Sequence, residues 1–159
     1  MRKLIEVQAA KELMSEAIDW GMFKWLFEKS RVRETADRAN DALDRLERSV
    51  KAQWSEQLKE ATRELTAKRV EAARRSQEGR QSPQIVEPEL KLLVEKVKEA
   101  HEAARRARMD AEKTFDEAEK QMSPDLAREG CRKAIHSWEL HEKAIRKAKA
   151  AMEATGSEN

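Results

Sequence analysis

Residues 123–152 read SPDLAREGCRKAIHSWELHEKAIRKAKAAM, and the spacing within this stretch decides the fold. Ala127, Cys131, Ala134, Trp138, His141, Ile145, Ala148 and Met152 follow one another in alternating steps of four and three. This is a heptad seam held over about four repeats, the mark of a helix packed lengthwise against other helices. Its start is written just as plainly. Ser123 can cap, Pro124 can open the helix, and Asp125 suits the positive end of its dipole.

The same device runs upstream. Leu90, Leu93, Val97, Ala100, Ala104, Ala107, Ala111 and Ala118 form a second seam, with Phe115 and Met122 flanking its end. Its middle is alanine, and small seam residues let helix axes come close. Further back, Val32, Ala36, Ala39, Leu43, Leu46 and Val50 keep heptad spacing. Trp54, Leu58, Ala61 and Leu65 continue it after an inserted four-residue step, a stutter that unwinds a supercoil locally. A helix from Val32 to Gln77 would span about 70 Å at 1.5 Å per residue, so the molecule should be elongated.

The boundaries follow from turn chemistry. Glu78 to Pro88, EGRQSPQIVEP, reads as a loop ending in a helix start. Lys3 to Glu28 is helical by pattern. The sequence favours a turn at Lys29 to Arg33 after it, over a bend at Gly21. With a bend at Gly21, Met22, Trp25, Lys29 and Val32 would extend the long helix's seam. Gly156 to Asn159 reads as a frayed tail. The expected fold is all-α: one domain over residues 1–155, an elongated antiparallel helical bundle with coiled-coil-like packing. Three long helices run its length, a shorter N-terminal helix covers one half, and short connections make neighbours antiparallel.

Composition narrows the function classes. Of 159 residues, 40% are charged and 39% hydrophobic, with four glycines, three prolines and a net charge of only +2. So balanced a charge, with regular apolar periodicity, argues for a folded chain over a disordered one. It also gives no strong pull toward nucleic acid or anionic lipid. Cys131 is the lone cysteine, which excludes an internal disulfide and fits a reducing, cytoplasmic setting. The opening MRKLIEVQAAKELM is broken by Glu6 and Gln8 and does not read as a signal peptide. No apolar run approaches a membrane span.

One stretch departs from the pattern. Asp19 to Lys29, DWGMFKWLFEK, holds four of the seven aromatic residues. On a helix, Trp20, Phe23 and Phe27 share one face, while Met22, Trp25 and Leu26 share another. The segment could plug the core of a thin bundle, form a surface for a protein partner or a second copy, or touch a membrane. Only Lys24 and Lys29 support membrane contact, and Asp19 and Glu28 oppose it.

Chemistry is sparse. There is no glycine-rich phosphate loop, HExxH or CxxC, and no Glu-x-x-His of the di-iron kind. If the helices fold about Ser123 and Pro83, then Glu64, His101 and His141 lie near one level. Two imidazoles and a carboxylate could then hold a divalent ion. The competing reading makes His141 a seam residue bonded to a neighbour, with His101 at the seam's edge. Cys131, on a seam, reads as a small buried hydrophobe. Lys68, Arg69, Arg74 and Arg75, with Lys143, Arg146 and Lys147, gather basic charge at helix C-termini, a candidate phosphate patch diluted by acids. Asp37, Asp41, Asp44 and Glu47, interleaved with Arg38, Arg45 and Arg48, read as a solvated face.

The function expected from these residues is non-enzymatic, with no cofactor. The protein would be a scaffold, adaptor or structural protein acting through protein contacts, self-association included. Phe23, Trp25 and Leu26 would form the contact surface, with Trp20 and Phe27 turned into the bundle. The alternatives are a metal or small-ligand site around His101 and His141, and nucleic-acid binding through the basic end.

Overall fold

The computed structural model describes residues 5–76 and 86–155, and all four of its elements are helices: α1 (Ile5–Ala17), α2 (Met22–Ser76), α3 (Val86–Gln121) and α4 (Pro124–Thr155). They form an elongated all-α antiparallel bundle. The 55 residues of α2 alone run about 80 Å. The expected loop at Glu78 to Pro88 and the tail at Gly156 to Asn159 lie outside the described residues, apart from the backbone of 86–88, which belongs to α3.

The heptad seams are the core. All eight seam residues of α4, from Ala127 to Met152, are buried. In α2, Val32, Ala36, Ala39, Leu43, Val50 and Trp54 are buried, whereas Leu58, Ala61 and Leu65 beyond them are half-exposed. α4 is the central helix and packs on all three others. α3 lies antiparallel on it, and α1 sits between α2 and α4. α2 and α4 run parallel, tied by contacts from Asn40 to Trp138 and from Glu47 to His141. α1 presents Val7, Ala10, Leu13, Met14 and Ala17 to them, and Lys11 pairs with Glu142 of α4 at 2.6 Å.

The first turn does not fall at Lys29 to Arg33. α1 ends at Ala17, and α2 begins at Met22 and passes through 29–33 unbroken. Two tight bonds wind α1 down, Asp19 N–H to Glu16 C=O at 3.0 Å and Trp20 N–H to Ala17 C=O at 3.1 Å. Arg128 of α4 then donates to the Trp20 carbonyl at 3.0 Å and so ties the turn after α1 to α4. Gly21 C=O accepts from Trp25 N–H and so opens α2. Segment 29–33 holds no residue that stops a helix, and Trp25 is seven residues before Val32, in phase with the long seam.

The turn between α3 and α4 matches the sequence. Ser123 N–H reaches back to Ala118 C=O at 3.1 Å and Met122 N–H to Glu119 C=O at 3.4 Å, a Schellman closure. Met122 takes the left-handed conformation, φ 48°, that this closure requires. Ser123 Oγ then accepts from Leu126 N–H at 3.3 Å and caps α4.

Gly130 sets the spacing of α3 and α4 at this end. A Cβ built there would lie 2.9 Å from Cδ1 of Phe115, a buried ring stacked against Trp25. Alanine is the better helix former by about 1 kcal/mol, but overpacking a filled core costs about 1–3 kcal/mol. Gly130→Ala should therefore unfold at lower urea concentration than wild type. In a Phe115→Leu background the same change should become neutral or stabilising. Equal sensitivity in both backgrounds would show that the ring is not what the methyl meets.

Candidate functional site

The α1–α2 turn divides the aromatic stretch into two environments. Trp20 and Trp25 are core, each 7% exposed. Their rings meet at 6.4 Å, and Trp25 stacks on Phe115 at 6.5 Å with the planes 3° apart. Cations close the cluster: Lys24 lies 5.2 Å over Trp20 and Arg33 lies 5.5 Å over Phe115. Phe23 and Phe27 stand in solvent, 78% and 85% exposed. Met22 is 51% exposed beside them. Met122 is 66% exposed at the α3–α4 turn, which lies at the same end of the bundle.

This corrects the expected assignment in two places. Trp25 is not an outward contact residue, and Phe27 is not turned into the bundle. The phase of α2 decides both, since Trp25 falls on the Val32 seam and Phe27 stands five residues before Val32, on another face. Phe23 faces out, Trp20 faces in, and Leu26 is half-buried.

A second constellation lies between α2 and α3. These helices do not approach closely; long polar side chains bridge them. Arg33 meets Asp116 at 3.1 Å and Glu119 at 3.7 Å. Arg108 grips Asp44 with two bonds, 2.7 and 3.1 Å. His101 Nδ1 approaches Glu47 Oε1 at 2.9 Å, and His141 Nδ1 of α4 lies 3.6 Å from Oε2. His141 is only 3% exposed. Neither of its ring nitrogens, nor His101 Nδ1, has a well-aligned hydrogen-bond partner, so both imidazoles touch Glu47 without a well-directed bond. The nearness of His101, and then of His141, holds the Glu47 carboxyl well below the usual carboxylate range, against the opposing effect of its burial. Between these bridges, Trp138 Nε1–H donates to Asn40 Oδ1 at 2.9 Å inside the core.

His101 and His141 therefore share a carboxylate, but it is Glu47 and not Glu64. The midpoints of the three bridges fall near residue 75, not Pro83, so α2 runs past the start of α3. Glu64 is exposed, 17 residues from Glu47 along the helix. Among the described residues, no group of three His, Cys, Asp or Glu side chains is placed to hold a metal ion. Asp44 and Glu47 likewise leave the solvated face expected of them, while Asp37, Asp41, Arg38, Arg45 and Arg48 remain exposed.

The basic residues do not assemble. The contacts of Asn40 with Trp138 and of Glu47 with His141 set Lys143, Arg146 and Lys147 level with about residues 47–51 of α2. Lys68, Arg69 and Arg74 lie about twenty residues further on, roughly 30 Å along the axis. The Arg75 side chain falls outside the described residues. Cys131 is fully buried, and burial pushes its thiol up to about 12, so it packs as an inert small hydrophobe. No helix of the described residues is long and apolar enough to cross a membrane. Neither protein-family models, curated proteins nor solved structures give a match to the chain.

A signal for the polar seam was available in the sequence. Arg33, Asn40, Glu47 and Trp54 are spaced by seven, and so are His101, Arg108 and Phe115. Two heptad rows of polar residues, each ending in an aromatic, lie beside the apolar rows and face one another.

Two measurements probe this seam. Asn40→Leu leaves the buried indole N–H of Trp138 without an acceptor and should cost about 1–3 kcal/mol in urea unfolding. Trp138→Phe should then cost less in the Asn40→Leu background than in wild type; independent, additive costs would mean the bond contributes nothing. The second concerns Glu47. Its carboxyl titrates lower folded than unfolded, so its contribution is present above the ordinary value of 4.5 and is lost as pH falls below it. The stability advantage of wild type over Glu47→Gln should be largest above pH 4.5 and shrink in more acid solution. An advantage that stays constant or grows on acidification would contradict the geometry.

Proposed function

We propose that this chain is a non-enzymatic helical-bundle scaffold or adaptor, acting through protein contacts made by the apolar end of the bundle. The observation that carries this reading is the exposure of Phe23 and Phe27, 78% and 85%, the two most exposed large apolar side chains among the described residues. Aromatic side chains are enriched at the centres of interfaces. Scattered exposed apolar residues need no explanation, but here Met22, Phe23 and Phe27 sit together on the first two turns of one helix. The side chains with the richest chemistry, His101, His141, Glu47 and Cys131, serve to join or fill helices in this reading. The cytoplasm is the compartment that suits a single buried thiol.

A photo-crosslinking residue placed at 23 or 27 should form adducts with protein, either a second copy or another chain, in an extract of the native host. The same residue at Lys51, exposed at mid-bundle, serves as the control. Adduct yields no higher at 23 and 27 than at 51 would remove the apolar end as the working surface.

A further inference from the structure

We infer that the apolar end of the bundle pairs with a second copy of this chain, α2 against α2, across a two-fold axis near Phe23 and Phe27. The inference rests on the reading of this end as the contact surface and names its occupant.

Shape is the first argument. Phe23 and Phe27 stand four residues apart on an unbroken helix, so they form one ridge of the i, i+4 kind. A convex ridge has no groove to receive an extended peptide. It fits another helix whose own i, i+4 ridge interdigitates with it, the commonest way two helices cross.

Charge is the second argument. Along the helix and just before it, around the rings, lie Asp19 and Glu34 and, between them, Lys24 and Arg31. Two anions and two cations cancel. A polyanion, an anionic membrane or a partner of one strong sign calls for a rim of the opposite sign, and this rim has none. An isologous contact asks for the reverse, a patch carrying both signs that complements itself.

Size is the third. A phenylalanine side chain covers about 150–250 Å², so the two rings at their exposures offer on the order of 300 Å². A standard interface takes about 800 Å² from each partner. The rings can form the dry centre of such an interface, with the charged residues as its rim, and the resulting dimer would be in concentration-dependent exchange with monomer.

The test is absolute mass by light scattering on the full chain, from about 10 μM to about 1 mM, the range suited to a patch of this size. Wild type should rise toward twice the monomer mass. Phe23→Glu/Phe27→Glu should stay monomeric throughout, and at about 10 μM, where wild type is still largely monomeric, its melting temperature should match wild type. Two rim variants, Arg31→Glu and Glu34→Lys, should each associate less than wild type alone and should regain dimer mass when mixed. Wild type that remains monomeric throughout, or rim variants that do not restore one another, would overturn the second copy as occupant and leave the end open to a different partner. A melting temperature lowered at that low concentration would instead make the rings core, and the reading of this end as a surface would fall with it.

Discussion

The ring of Phe115 lies flat against Trp25 on one side and meets Gly130 on the other, and the whole turn end of the bundle is arranged around that contact. Gly130 allows α4 to come close enough for the ring to fill the space between it and α2. Trp25 covers the ring and brings Trp20 with it, which ends α1 where it ends. Arg128, two residues before Gly130, then holds the α1–α2 turn through the Trp20 carbonyl. Four helices are thus fixed by aromatic surface and one missing methyl, in a core otherwise lined largely by alanine.

Away from that end the bundle is held by two different kinds of contact. α4 packs on its neighbours through the apolar heptads, which give burial without fixing a particular register. α2 and α3 meet through Arg33, Asp44, Glu47, His101 and Arg108, and these do fix register, because the partners of each lie at one height. Such contacts contribute modestly to stability, and a slipped pairing would strand buried charge. The Asn40 to Trp138 bond acts the same way inside the core, since an indole N–H moved by one turn would have no acceptor.

The heptad arithmetic made the fold legible. Every seam residue named for α4 is buried, and the caps at Ser123 and Pro124 fall where turn chemistry places them. The first turn was misplaced because nothing local at Lys29 to Arg33 opposes or favours a helix. The decision there is made by the phase of Trp25 with a distant seam and by Arg128, more than a hundred residues away. The pairing of His101 with His141 followed from the short connection at Ser123. The carboxylate between them did not follow, because the offset of α3 on α2 depends on a longer connection whose path periodicity does not specify. Polar heptad rows would have supplied that offset, as the match of Arg33 and Glu47 against Phe115 and His101 shows.

The alanine seams carry a thermodynamic signature of their own. Alanine methyls bring helix axes together but remove little hydrocarbon from water, so this chain hides less apolar area per residue than a leucine-rich bundle of the same length. The heat capacity gained on unfolding scales with that area. Its free-energy curve is accordingly shallow, with stability changing slowly with temperature and the cold limb displaced downward. A rod built this way keeps a nearly constant margin of stability across a broad range of growth temperatures, where a thicker core would show a sharper optimum.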